Sequence, residues 1–113
     1  MNGIMSLTSN STDPQINIKG LKLDSAKYTV LKLRLKNMTR STLAELFFVT
    51  DKDTTMNAAK SIKIPIEANS SDFVEYEVDI TNELWKDTVT QLRFDPMTAV
   101  GDMQIDYIIL ANE

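Results

Sequence analysis

Apolar and polar residues alternate along most of this chain with a period of two, the spacing that puts every second side chain on one face of a strand. The clearest case is residues 28–37, where Leu31, Leu33 and Leu35 fall on one side and Val30, Lys32, Arg34 and Lys36 on the other. A helix would mix these two sets, so the spacing predicts a strand with one face on the core and one in water. Residues 44–50 repeat the arrangement, with Leu46 and Phe48 facing in and Glu45, Phe47 and Val49 facing out. Ile62, Ile64 and Ile66 follow with the same period, and Pro65, which cannot donate to a ladder, marks an edge strand. In residues 73–80 the set Val74, Tyr76, Val78 and Ile80 opposes Phe73, Glu75, Glu77 and Asp79. In residues 88–95 Thr90, Leu92 and Phe94 oppose Val89, Gln91, Arg93 and Asp95. Pro96 stops that ladder, Gly101 lets the chain reverse, and residues 103–110 supply a last strand rich in β-branched and aromatic side chains.

The segments between are short and polar. Residues 4–9 form a first strand, and Asn10, Ser11, Thr12, Asp13 and Pro14 are turn formers. Ile16 and Ile18 then alternate with Asn17 and Lys19 up to Gly20, and Leu21 and Leu23 resume, as two short strands or one bent strand. Residues 24–27 read as a turn. Residues 81–85 read as one helical turn capped by Thr81, with Trp85 plugging an end of the core. Residues 51–60 form a rim loop whose Asp-x-Asp opening is like the start of a calcium loop, without the later glycine and glutamate of an EF-hand. Eight or nine strands with turn signals about every ten residues predict an all-β fold, a two-sheet antiparallel β-sandwich. Its predicted core is Leu31, Leu33, Leu35, Leu46, Phe48, Tyr76, Val78, Leu92, Phe94, Ile108 and Leu110.

Composition removes several kinds of chemistry. A chain of 113 residues suits a single domain spanning 1–113. With no histidine and no cysteine, histidine-dependent triads, thiolate metal sites and disulfides are all excluded. A net charge of −4 with no basic block argues against a nucleic-acid partner. The apolar runs are far shorter than a membrane helix needs, so membrane insertion is not expected. Residues 1–7 do not have the form of a signal peptide. The chain therefore reads as a module excised from a larger polypeptide, with the other domains of that parent chain as partners. Carboxylates are plentiful, but none is set apart as the raised acid of a glycosidase pair, and the domain is read as not an enzyme. Met97 and Met103, like the other methionines, show no helical spacing and read as gap fillers or loop residues.

Several motifs occur in a fixed order: Asp13-Pro14-Gln15-Ile16, Leu33-Arg34-Leu35-Lys36-Asn37, Leu46-Phe47-Phe48-Val49-Thr50-Asp51, and Trp85 followed by Val89, Gln91-Leu92-Arg93-Phe94-Asp95-Pro96, Gly101 and Ile105-Asp106-Tyr107-Ile108. In this order and spacing, the chain resembles carbohydrate-binding modules of the jelly-roll, galactose-binding-like type. These occur beside bacterial glycoside hydrolases and S-layer homology repeats. The resemblance implies a jelly roll, a polysaccharide or oligosaccharide ligand, and a secreted or cell-surface location, with a glycoside hydrolase as a candidate parent. It also implies a structural Ca²⁺ on Asp106. The other reading of Asp106 is a carboxylate satisfied by a turn or by Arg93.

Sugar recognition needs an aromatic plane for the apolar face of a pyranose and planar polar groups for its hydroxyls. Phe47 supplies the plane in this reading. Lys32, Arg34, Glu45, Gln91 and Arg93 supply the polar groups, all expected on one outward sheet face. The competing explanation of the same residues is a solvated face with cross-strand ion pairs, including Arg93 with Asp95. On that view the domain is a spacer or protein-docking module of a surface protein, with no glycan ligand and with Phe47 and Phe73 both buried.

Overall fold

The structure, a computed structural model, describes residues 5–9 and 14–112. Among these residues nine strands follow in order: β1 Met5–Ser9, β2 Ile16–Ile18, β3 Leu23–Asp24, β4 Val30–Asn37, β5 Leu43–Thr50, β6 Ser61–Pro65, β7 Val74–Asp79, β8 Thr88–Asp95 and β9 Gly101–Ala111. A four-stranded sheet has the order β1-β9-β4-β7, and a second sheet the order β2-β8-β5-β6, with β3 also paired to β8. All the pairings are antiparallel. Most connections cross from one sheet to the other, so neighbours in sequence are seldom neighbours in a sheet. This is the predicted two-sheet β-sandwich of jelly-roll type.

The inner faces are those the alternation predicts. Leu31, Leu33 and Leu35 of β4 meet Ala44, Leu46 and Phe48 of β5, with Ile62, Ile64 and Ile66 closing one side. Burying each such side chain contributes about 1.5–3 kcal/mol, which is why the period-two pattern specifies the register so strongly. Met97 and Met103 fill gaps and are almost fully buried. Trp85 plugs one end as expected: its ring meets Phe48 edge-on at 5.0 Å. Its indole Nε1 donates to the carbonyls of Ser25 and Tyr28 at 3.1 and 2.9 Å. Residues 81–85 hold a single hydrogen-bonded turn, Trp85 N–H donating to the Asn82 carbonyl at 3.0 Å. Asn82, rather than Thr81, organises the segment, its side-chain oxygen accepting from the Leu84 N–H at 2.8 Å. The turn expected at residues 24–27 contains a short 3₁₀ helix, Ser25–Lys27, capped by Asp24. Ile4 and the turn formers at 10–13 lie outside the described residues.

Two bulges re-aim side chains that strict alternation misplaces. In β8, Gln91 opposes Val49 and Val89 opposes Thr50, so Thr90 is the extra residue. Val89, expected on the outer face, is thereby turned into the core and is fully buried. In β9, Ile105 opposes Leu35 and Tyr107 opposes Arg34, so Asp106 is extra. Ile108, expected in the core, does oppose the inward Leu33 and lines a cleft with Leu46, Leu92 and Phe94, but it is 39% exposed.

The far end of β4 is tied by Asn37, which is fully buried. Its amide donates to the Ser41 and Glu67 carbonyls at 2.8 and 2.9 Å, and its oxygen accepts from Thr39 N–H and Oγ1 at 3.0 and 2.7 Å. Gly101 packs against the same turn with φ +133°, and a Cβ there would come within 3.1 Å of Thr39 Cγ2. Glycine is favoured here by its conformation, and a side chain would in addition press on the Thr39 methyl.

Candidate functional site

The six predicted sugar contacts do not share one surface. Lys32 and Arg34 lie on β4 of the four-stranded sheet, whereas Glu45, Phe47, Gln91 and Arg93 lie on β5 and β8 of the other sheet. The two groups project from opposite faces of the sandwich. The alternation identified each as outward-facing, but it carries no information about which strands share a sheet.

On the five-stranded sheet, Phe47 is not the exposed platform expected of it. It is 9% exposed, and Arg93, its direct cross-strand partner, lies over the ring with its guanidinium carbon 4.2 Å from the centroid. The guanidinium is fixed by Asp95, which accepts from Nε at 2.9 Å and from Nη2 at 3.0 Å. A bidentate pair that is mostly shielded from water is stiffer than an exposed one. The outer face of β5 and β8 is therefore a closed stack of ring, guanidinium and carboxylate. Gln91 reaches toward Asn17, with Nε2 3.4 Å from its Oδ1, and Glu45 stands between Lys63 and Asp95 in register.

The four-stranded sheet presents a more open surface. Arg34 sits between Glu75 of β7 and Tyr107 of β9, and Lys32 between Glu77 and Ile109. The Arg34 Nη1 donates to Asp106 Oδ2 at 2.7 Å, and its Nε lies 3.7 Å from Glu75 Oε1. Its guanidinium carbon is 4.6 Å from the centroid of the half-buried Phe73. Lys32 Nζ is 3.9 Å from Glu77 Oε1. A surface groove of about 330 Å³ runs here, lined by Lys32, Glu75, Tyr76, Glu77 and Tyr107. It combines a half-buried tyrosine ring with donors and acceptors held by their sheet register. Tyr107, Glu75 and Glu77 were not among the predicted contacts. The outward positions of Glu75 and Glu77 are legible in the alternation, whereas Tyr107 is set beside Arg34 by the bulge at Asp106, and the convergence of all three depends on β7, β4 and β9 being adjacent.

Asp106 is half-buried rather than fully buried. The bulge turns it outward, 29% exposed, onto Arg34 rather than Arg93. Among the described residues, no group of three or more His, Cys, Asp or Glu side chains is arranged to hold a metal ion. The Asp-x-Asp loop has a different cation. Lys60 is 1% exposed, and its Nζ lies 2.9 Å from Asp53 Oδ1 and donates to the Asp53 carbonyl at 3.2 Å. This bond to Lys60 holds the Asp53 carboxyl below its ordinary pKa, helped by the N–H of Thr55. Asp51 instead accepts from Thr88 N–H at 3.3 Å. The two aspartates that look like calcium ligands are thus bound by the chain itself.

No family model and no curated protein matches the sequence. Solved structures do match its fold. CsCBM6-3 from Clostridium stercorarium, in complex with cellobiose, superposes with a TM-score of 0.62 at 11% identity over 96% of this chain and 74% of that one. A CBM4 structure gives 0.61 at 11% identity over 100% of this chain and 73% of that one. The enzymatically active domain of tailspike protein 4 from bacteriophage CBA120 gives 0.57 at 20% identity, covering 92% of this chain. This chain spans only 14% of that tailspike structure. At these identities the likeness is one of fold, the β-sandwich of carbohydrate-binding modules.

Proposed function

We propose that this domain is a non-catalytic polysaccharide-binding module and that its ligand lies on the outer face of the four-stranded sheet. The observation that carries the reading is the groove between Tyr107 and the row Lys32, Glu75 and Glu77. Tyr107 offers a ring to the apolar face of a pyranose, while the lysine and carboxylates bond its hydroxyls. Arg34, held by Asp106, stands in register between Glu75 and Tyr107 of the groove's lining. A fold shared with a module solved with cellobiose supports the reading. On this reading the domain is one unit of a longer exported polypeptide and directs an attached enzyme or surface protein to glycans.

A shallow surface of this kind binds in the micromolar to millimolar range, about −4 to −8 kcal/mol. Affinity electrophoresis against soluble plant and microbial polysaccharides tests it. Tyr107→Ala should weaken retardation roughly tenfold, since it removes both the stacked area and the aromatic contact. Undiminished retardation would place the ligand elsewhere. The spacer or docking alternative is favoured by one observation: among the described residues the exposed large apolar side chains, Ile18, Met38, Val100, Ile108 and Ile109, are all aliphatic, with no fully exposed ring beside them. Failure of every polysaccharide to retard the domain would favour that alternative.

A further inference from the structure

Two of the three arginines of this chain stand on the outer sheet faces, and both already hold carboxylates of their own chain. Arg93 is gripped at two nitrogens by Asp95. Arg34 faces Asp106 at 2.7 Å and Glu75 at 3.7 Å, and the flat side of its guanidinium rests on Phe73. A guanidinium selects an acidic sugar by offering two parallel N–H groups to its carboxylate. Here Nη1 of Arg34 is bonded to the Asp106 carboxylate and its Nε lies near that of Glu75.

The groove's charge follows from the same contacts. Lys32 and Arg34 are set against Glu75, Glu77 and Asp106, one net negative charge among the described residues. The two glutamates are the most exposed members, at 70% and 55%, so an arriving ligand meets them first. Carboxylates accept hydrogen bonds from sugar hydroxyls but repel a uronate or sulfate.

Resting on the binding face assigned above, we infer that the ligand class is a neutral polysaccharide and that Glu75 and Glu77 reject acidic chains. Matched polymers that differ in charge test this by affinity electrophoresis of the domain: hydroxyethyl cellulose against carboxymethyl cellulose, and methyl-esterified pectin against polygalacturonate. The expected result is retardation by a neutral member and several-fold less by its acidic counterpart. The Glu75→Gln, Glu77→Gln double variant should raise the acidic-to-neutral ratio by about three-fold or more at low salt, and about 0.3 M salt should erase most of that gain. Both residues are exposed, so folding should survive, and an unchanged thermal midpoint confirms it. Retardation by an acidic member equal to or stronger than by its neutral partner overturns the inference while leaving glycan binding intact. So does an unchanged ratio in the double variant. Retardation by none of the four polymers counts against the binding reading itself, and this inference falls with it.

Discussion

Replacing Phe47 by alanine separates two roles that the residue's outward position leaves open. A ring waiting for a sugar could be removed with little effect on folding. The observed ring is 9% exposed and lies under the Arg93 guanidinium at 4.2 Å. Phenylalanine-to-alanine changes in full cores cost about 3–5 kcal/mol. Because Phe47 is covered from outside by one side chain rather than by a second layer, the cost falls at or below the bottom of that range, about 2–3 kcal/mol. Of this, the cation–π contact accounts for about 0.5–1 kcal/mol. In a domain of this size the loss should lower the thermal midpoint by about 10 °C and shift the urea midpoint with little change in slope. Arg93→Ala should cost a comparable amount, because it uncovers the ring and leaves Asp95, with its side chain only 12% exposed, without its bidentate partner. A double-mutant cycle should give a coupling of about 1 kcal/mol between positions 47 and 93. A Phe47→Ala protein as stable as the parent but no longer retarded by polysaccharide would refute the reasoning and return Phe47 to the ligand.

Asn37→Ala should destabilise by about 3 kcal/mol in urea unfolding, since it strands two carbonyls and an N–H in a buried turn. Acid should loosen the rim loop. The folded pKa of Asp53 lies below its unfolded value, so the stabilisation from Lys60 is complete above the ordinary carboxylate range and is lost as pH falls through the lowered value. Asp53→Asn should reduce the pH dependence of stability in that acid window, as measured by urea titrations; an unaltered dependence would show that the pair is not formed in solution.

The sequence by itself determined the strands and most of their faces. Period-two alternation is a local property: Leu31, Leu33 and Leu35 must be on one side of β4 and Lys32, Arg34 and Lys36 on the other, whatever β4 packs against. The same locality let Trp85 be read as an end plug and Pro65 as an edge residue. Tertiary structure alone decided which strands became neighbours. Crossing connections put Arg34 and Phe47, both outward and only thirteen positions apart, on opposite sides of the sandwich. Adjacency of β7, β4 and β9 made a groove from Glu75, Lys32 and Tyr107. Likewise, Phe47 was open to either role until β8 was placed beside β5 with Arg93 opposite the ring. The bulges at Thr90 and Asp106 also arise from pairing, because an extra residue exists only relative to a partner strand. Alternation fixes the direction of a side chain from its own backbone, whereas a binding surface needs side chains from strands distant in sequence, and only the packed sheets bring those together.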